Sequence, residues 1–222
     1  MHSEGKIGAT CAILGAALLF IGTFLHPMGA DPNDPAAAFT EYAADRLWIA
    51  SHLVQLAGVA AMVAALLCLT GQLEARGRSS IARIAAGGAL VSLALAAALQ
   101  AVDGIALKSM VDSWAAASEP EKARLFPAVL AVRQIEVGLA SMLSLFLGLT
   151  MTLVGMAVLR DEAFPKWFAG LAVAGGLSTM VAGVVMAYTG FSEPTMTISM
   201  PANLLLLSWM VALGGFMWRR VG

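Results

Sequence analysis

Charge is what this sequence has least of. Its 222 residues include 13 Lys and Arg and 14 Asp and Glu, only 12% of the chain, against 59% hydrophobic residues. Mean hydropathy is +0.83. A soluble domain needs roughly a quarter of its residues charged to cover its surface, so a soluble enzyme is excluded, as is a disordered chain. A net charge of -1 also excludes a nucleic-acid binder, which would carry a basic excess. Cysteine is equally sparse. Cys11 and Cys68 both lie inside apolar runs, where a thiol packs as a small hydrophobe, and no disulfide framework is implied.

Several signatures are missing too. No Gly-x-Ser-x-Gly elbow, His-Glu-x-x-His helix, Walker A loop or Rossmann glycine fingerprint occurs, which removes the common routes to hydrolysis and nucleotide use. There is no arginine-rich voltage sensor and no TVGYG-like filter. A serine-based intramembrane protease is disfavoured, since no histidine falls in a late helix.

What remains is a set of long apolar runs. A hydrocarbon core of about 30 Å needs roughly 20 apolar residues at about 1.5 Å each. Six stretches meet that length, at residues 7–25, 48–70, 84–102, 137–159, 167–189 and 202–218, none holding an acidic or basic residue. The runs are continuous rather than alternating, which excludes a β-barrel. The expected fold is one all-α polytopic membrane domain, residues 1–222, a bundle of six transmembrane helices with short amphipathic helices outside. The first run exceeds a signal-peptide core and lacks an Ala-x-Ala cleavage site, so it reads as a retained helix.

The distribution of basic residues sets the expected orientation. With the N-terminus inside, Lys6, Arg76, Arg78, Arg83, Arg160, Lys166, Arg219 and Arg220 face the cytoplasm, against Arg46, Lys108, Lys122, Arg124 and Arg133 outside. Both termini are thus expected to be cytoplasmic, in a bacterial-type inner membrane. Basic residues before the odd-numbered spans (Lys6, Arg83, Lys166) follow from alternating topology alone and do not establish a repeat.

The outer connections are the long ones. In the first, Asp34-Pro35 is a helix N-cap followed by a first-turn proline. In the second, Leu107, Met110, Val111 and Trp114 form a helical stripe with Lys108 and Asp112 away from it, so the third helix should project as an amphipathic extension. Ser118-Glu-Pro-Glu121 has capping-box spacing, and Pro127 should interrupt the helix it starts.

Polar side chains at membrane depth are costly and therefore informative. They gather in the outer half: His26, His52, Gln55, Gln100, Asp103, Arg133, Gln134, Glu136, Tyr188 and Asn203. A pocket built from His52, Gln55, Asp103, Arg133 and Glu136, with His26 and Tyr188 at its rim, would bind or pass a small solute or lipid. In that pocket Arg133 would hold an anionic group and Glu136 or Asp103 a proton or cation, although Arg133 and Glu136, three residues apart, also suit simple mutual neutralisation.

Two other functional classes fit. His26 and His52 on adjacent helices could ligate haem or a metal such as copper in a redox protein, against which their depths match imperfectly. Met28, Met110, Met196 and Met200 offer thioethers for copper, but without a Met-x-x-Met cluster. Small-residue faces from Gly148 to Gly155 and Gly170 to Gly183 would suit an accessory subunit of an oligomer or larger membrane complex. Expected partners are the bilayer and a small-molecule ligand.

Overall fold

A computed structural model describes residues 2–76 and 79–219. Arg78 and Arg220, counted on the inner side, lie outside the described residues. The described chain is helical throughout its long elements, with no strand. Buried in lipid, a backbone must satisfy its own hydrogen bonds, and a helix does so within one segment.

Six helices are long and apolar enough to cross a membrane. They are α1 (His2–Phe24), α3 (Trp48–Ala75), α4 (Ser79–Gln100), α6 (Glu119–Leu159), α7 (Lys166–Thr189) and α8 (Glu193–Arg219). Each packs on the next in the chain, and α1 packs on α8, so the spans close into a ring in sequence order. Large apolar side chains such as Ile13, Phe20, Ile84, Leu90, Leu149 and Val184 remain exposed on the ring's exterior, as lipid contact requires.

The apolar core fills the half of the bundle nearer the termini, around Leu66, Leu69, Leu73, Val154, Phe168, Trp209 and Leu213. Phe168 and Trp209 stack at 4.7 Å, and the Trp209 indole donates to the Phe168 carbonyl at 2.8 Å. Glycines bring α6 and α7 together. A Cβ on Gly148 would lie 2.5 Å from the Gly176 carbonyl oxygen, and one on Gly155 2.9 Å from that of Ala169. The small-residue faces of α6 and α7 are thus largely consumed within the chain, although Gly170 faces open space.

At the other end a second, smaller core forms a cap. It joins α2 (Pro35–Ala44), α5 (Lys108–Ala116) and the start of α6 through Ala38, Phe39, Tyr42, Leu107, Val111 and Val129. Asp34 caps α2 as its spacing predicts, its carboxylate accepting from the Ala36 and Ala37 amides at 3.1 and 3.2 Å. The third helix projects as expected, running from α4 through a π-helical segment, residues 101–107, directly into α5.

Three local expectations fail. Pro127 does not interrupt α6, which is continuous over 41 residues. Phe126 and Leu130 pack against the cap core beside buried Val129, and keeping that stripe in register outweighs one lost backbone bond. Ser118 forms no side-chain cap, because the Glu121 amide is already taken by the Ser118 carbonyl at 2.9 Å. Lys108 is not turned to solvent but buried. Its ammonium donates to the Tyr42 and Ala43 carbonyls at 2.9 and 3.0 Å and to Asp112 at 2.8 Å. It donates to carbonyls in the last turn of α2, that of Tyr42 also accepting from the Asp45 amide at 3.3 Å, and pins α5 to it.

Candidate functional site

The site begins with Trp48, which is fully buried at the start of α3. Its indole N–H donates to the Asp103 carbonyl at 3.0 Å, tying α3 to the π-helical segment. One turn on, His52 is 1% exposed and stacks on Trp48 with ring centroids 4.6 Å apart. His26, just beyond α1, leans on both, 4.7 Å from Trp48 and 5.1 Å from His52. The mismatch in depth expected for the two histidines is therefore absent. Depth counted along helix axes omits the turn after α1, which carries the His26 ring back over the bundle.

The ring nitrogens have defined surroundings. His52 Nδ1 lies 2.6 Å from the Trp48 carbonyl oxygen, and its Nε2 lies 3.0 Å from Asp103 Oδ2. A carbonyl only accepts, so Nδ1 is the donor. Nε2 then meets the Asp103 carboxyl with a second proton on the ring, with the proton on the carboxyl, or with a cation between them. His26 Nδ1 lies 2.8 Å from the Pro27 carbonyl oxygen, which leaves its Nε2 as the free lone pair. Burial, reinforced by neighbouring His52, holds His26 below the ordinary histidine pKa of 6.5 and keeps that lone pair free.

Asp103 completes the group. One ligand atom from each of His26, His52 and Asp103 falls within 4.8 Å of the others. Asp103 Oδ1 is buried with no hydrogen-bond partner, an arrangement that needs a compensating group. The π-helical segment adds a residue to the turn that carries Asp103, and such bulges recur at functional sites. Its Gly104 packs against His52, where a Cβ would come within 2.7 Å of the histidine Cβ. A turn deeper, Gln100 donates to Gln55 at 3.1 Å, while Gln100 Oε1 is buried and unpaired.

Arg133 and Glu136 form a neighbouring unit. Arg133 Nη1 donates to both Glu136 oxygens, at 2.5 and 2.7 Å, and the residues are 7% and 2% exposed. The Arg133 guanidinium lies over the ring of Phe191, at 4.7 Å, and over that of Tyr42, at 5.5 Å. Beside it opens a cavity of about 320 Å³, bounded by Pro32, Asn33 and Pro35, by α6, and by the end of α7. Arg133, Gln134 and Tyr188 line it, whereas His26, His52, Gln55, Asp103 and Glu136 do not. The residues expected in one pocket thus divide into a histidine–aspartate cluster, a glutamine pair and an arginine-lined groove. Tyr188 is 87% exposed, and Asn203 is also exposed. Of the four methionines weighed for copper, Met28 and Met200 are exposed.

Sequence reasoning overlooked Trp48, Tyr42, Gly104 and Phe191. For Trp48 a signal existed in its i, i+4 spacing to His52; Phe191 reaches Arg133 through tertiary structure alone.

Fold and site define a multi-pass helical membrane protein with an ionisable cluster buried at the end opposite its termini. The DUF4386 family, described as a domain of unknown function, matches residues 7–218, and the chain belongs to that family. No curated protein and no solved structure matches it.

Proposed function

We propose that the protein binds a divalent transition metal ion at its capped end through His26, His52 and Asp103. The observation that carries this reading is the pairing of each histidine Nδ1 with a backbone carbonyl, which presents Nε2 as the ligand atom beside a carboxylate whose Oδ1 lacks a partner. Histidines that ligate metals characteristically anchor their other nitrogen this way. The 3.0 Å separation of His52 Nε2 and Asp103 Oδ2 suits two corners of a zinc tetrahedron, about 3.3 Å apart when bonds are about 2.0 Å. Three protein ligands leave a fourth position for water or substrate.

A small ion suits the site better than haem. Two axial histidines would stand on opposite faces of a macrocycle, whereas these rings touch at 5.1 Å with Trp48 against both. Imidazole with carboxylate also favours zinc-like ions over Cu(I), which prefers thioethers and thiolates. The apolar packing of the termini half supports binding at one end rather than passage. On the basic-residue distribution, the capped end faces outward from a bacterial-type inner membrane.

Purified protein is titrated with Co²⁺ and Zn²⁺ and assayed for bound metal. One ion per chain, lost in His52→Ala and Asp103→Asn variants that still fold, is expected. A metal-free protein with no Co²⁺ absorption band overturns the assignment, and a Soret band would assign the histidines to haem instead.

A further inference from the structure

The arginine-lined groove has chemistry of its own. Arg133 is held by contacts with two rings and by Glu136 through a single nitrogen, Nη1. Its Nε and Nη2 make no hydrogen bond among the described residues, although the side chain is 9% exposed. A guanidinium presents five N–H donors in a fixed fork, and the free edge of that fork matches two oxygens of a phosphate or carboxylate. Around it the groove adds Asn33, Gln134 and Thr189 as neutral polar groups and no carboxylate.

Position selects the oxyanion. The groove lies where α7 ends at Thr189 and turns through Gly190, whose φ is +65°. The 24 residues of α7 span about 36 Å at about 1.5 Å each, enough to bring that end to headgroup level. Beside it, Ile135 on α6 and Tyr188 on α7 are exposed among lipid-facing side chains, and tyrosine at a helix end marks the membrane–water interface. The oxyanion most concentrated there is the phosphate of a phospholipid.

We propose that this groove is a phospholipid headgroup site in which the free edge of Arg133 holds the phosphate and Phe191 and Tyr42 fix the plane of the guanidinium. Glu136 orients Arg133 by occupying Nη1, leaving Nε and Nη2 for the lipid. The site is distinct from the metal ligands, since none of them lines the groove.

The test uses the full chain in nanodiscs or mild detergent, with phosphatidylglycerol retained after delipidation quantified by mass spectrometry. Arg133→Ala alone would leave Glu136 buried without a partner, so the informative variant is Arg133→Gln with Glu136→Gln, which removes both charges together. Retention is expected to fall at least about tenfold in that double variant, the loss of two charge-assisted hydrogen bonds, and to fall also in Phe191→Ala. Metal content at saturating Zn²⁺ should be unchanged in both, which separates this site from the histidine cluster. Equal phosphatidylglycerol retention in wild type and double variant overturns the proposal. Displacement of the lipid by millimolar inorganic phosphate overturns the lipid assignment in favour of a soluble oxyanion.

Discussion

Replacing Gly104 by alanine isolates the contact on which the histidine cluster depends. An added Cβ would stand 2.7 Å from His52 Cβ and 3.0 Å from its Cγ. Those atoms sit at the root of a buried side chain, stacked on Trp48, and cannot swing away, so the π-helical segment and α3 must separate. Overpacking of this kind costs about 1–3 kcal/mol. Alanine also improves helix propensity by up to about 1 kcal/mol, which would mask part of the loss. Gly138→Ala supplies the reference, because Gly138 is helical and a Cβ there meets nothing within 4 Å. Both variants gain the propensity term, so the difference between them reports packing. At about 2–4 °C per kcal/mol for a chain of this length, Gly104→Ala should melt roughly 2–12 °C below Gly138→Ala in the same detergent. Shifting Asp103 relative to His52 should also weaken Zn²⁺ binding about 10–100-fold, the effect typical of disturbing the support of a metal ligand. Equal melting of the two variants, with Zn²⁺ titration like that of wild type, would refute the claim that this close approach positions the cluster.

Asp34→Ala removes the N-cap of α2; a loss of about 1 kcal/mol should appear as faster amide exchange over residues 35–44, with the spans unaffected. Lys108→Met deletes two hydrogen bonds from α5 to α2 and one within α5, and should cost about 1–3 kcal/mol, seen as protease cleavage between α2 and α3 under conditions that leave wild type intact. Tyr42 gives a pH signature. Burial, opposed by Arg133, pushes its phenol from 10.0 up to about 12. The unfolded chain releases this proton first, so the contribution to stability is present below about pH 10 and declines as pH rises from there toward 12. In a Tyr188→Phe background, phenolate absorbance should emerge only near pH 12 in folded protein; emergence near 10 would contradict the burial of Tyr42.

The six spans were legible because a membrane leaves one signal, length of uncharged apolar run, and nothing in the chain competes with it. The cap yielded less. Asp34-Pro35 could be read because a helix cap is local, involving residues two or three positions apart. Lys108 could not, because an amphipathic stripe assigns lysine to solvent by default, and its true environment depends on carbonyls more than 60 positions earlier. Pro127 misled for a related reason: a local rule about the lost amide took no account of the packing on either side. The polar residues were gathered correctly at one end, yet their grouping depended on ring directions and on the π-helical segment. Spacing along a helix reports neither, so His26 and His52 read as a metal pair of imperfectly matched depth, and Asp103 as a pocket residue rather than a third ligand.

The stretch between α1 and α2 is the one long non-helical connection at the capped end, and it carries His26 near its start and Pro32 and Asn33 near its finish. Glu41 fastens it in the middle, accepting from the Gly29 and Ala30 amides at 2.8 and 2.9 Å, and Asn33 donates to the Phe191 carbonyl at 3.3 Å. His52 and Asp103 stand on elements joined by the Trp48 hydrogen bond, whereas His26 stands on this strip. An ion that recruits His26 would draw on this strip alone, and the strip also walls the groove beside Arg133. Should tightening it at one end change the room left at the other, occupancy of either site would alter the affinity of its neighbour by the same factor in both directions.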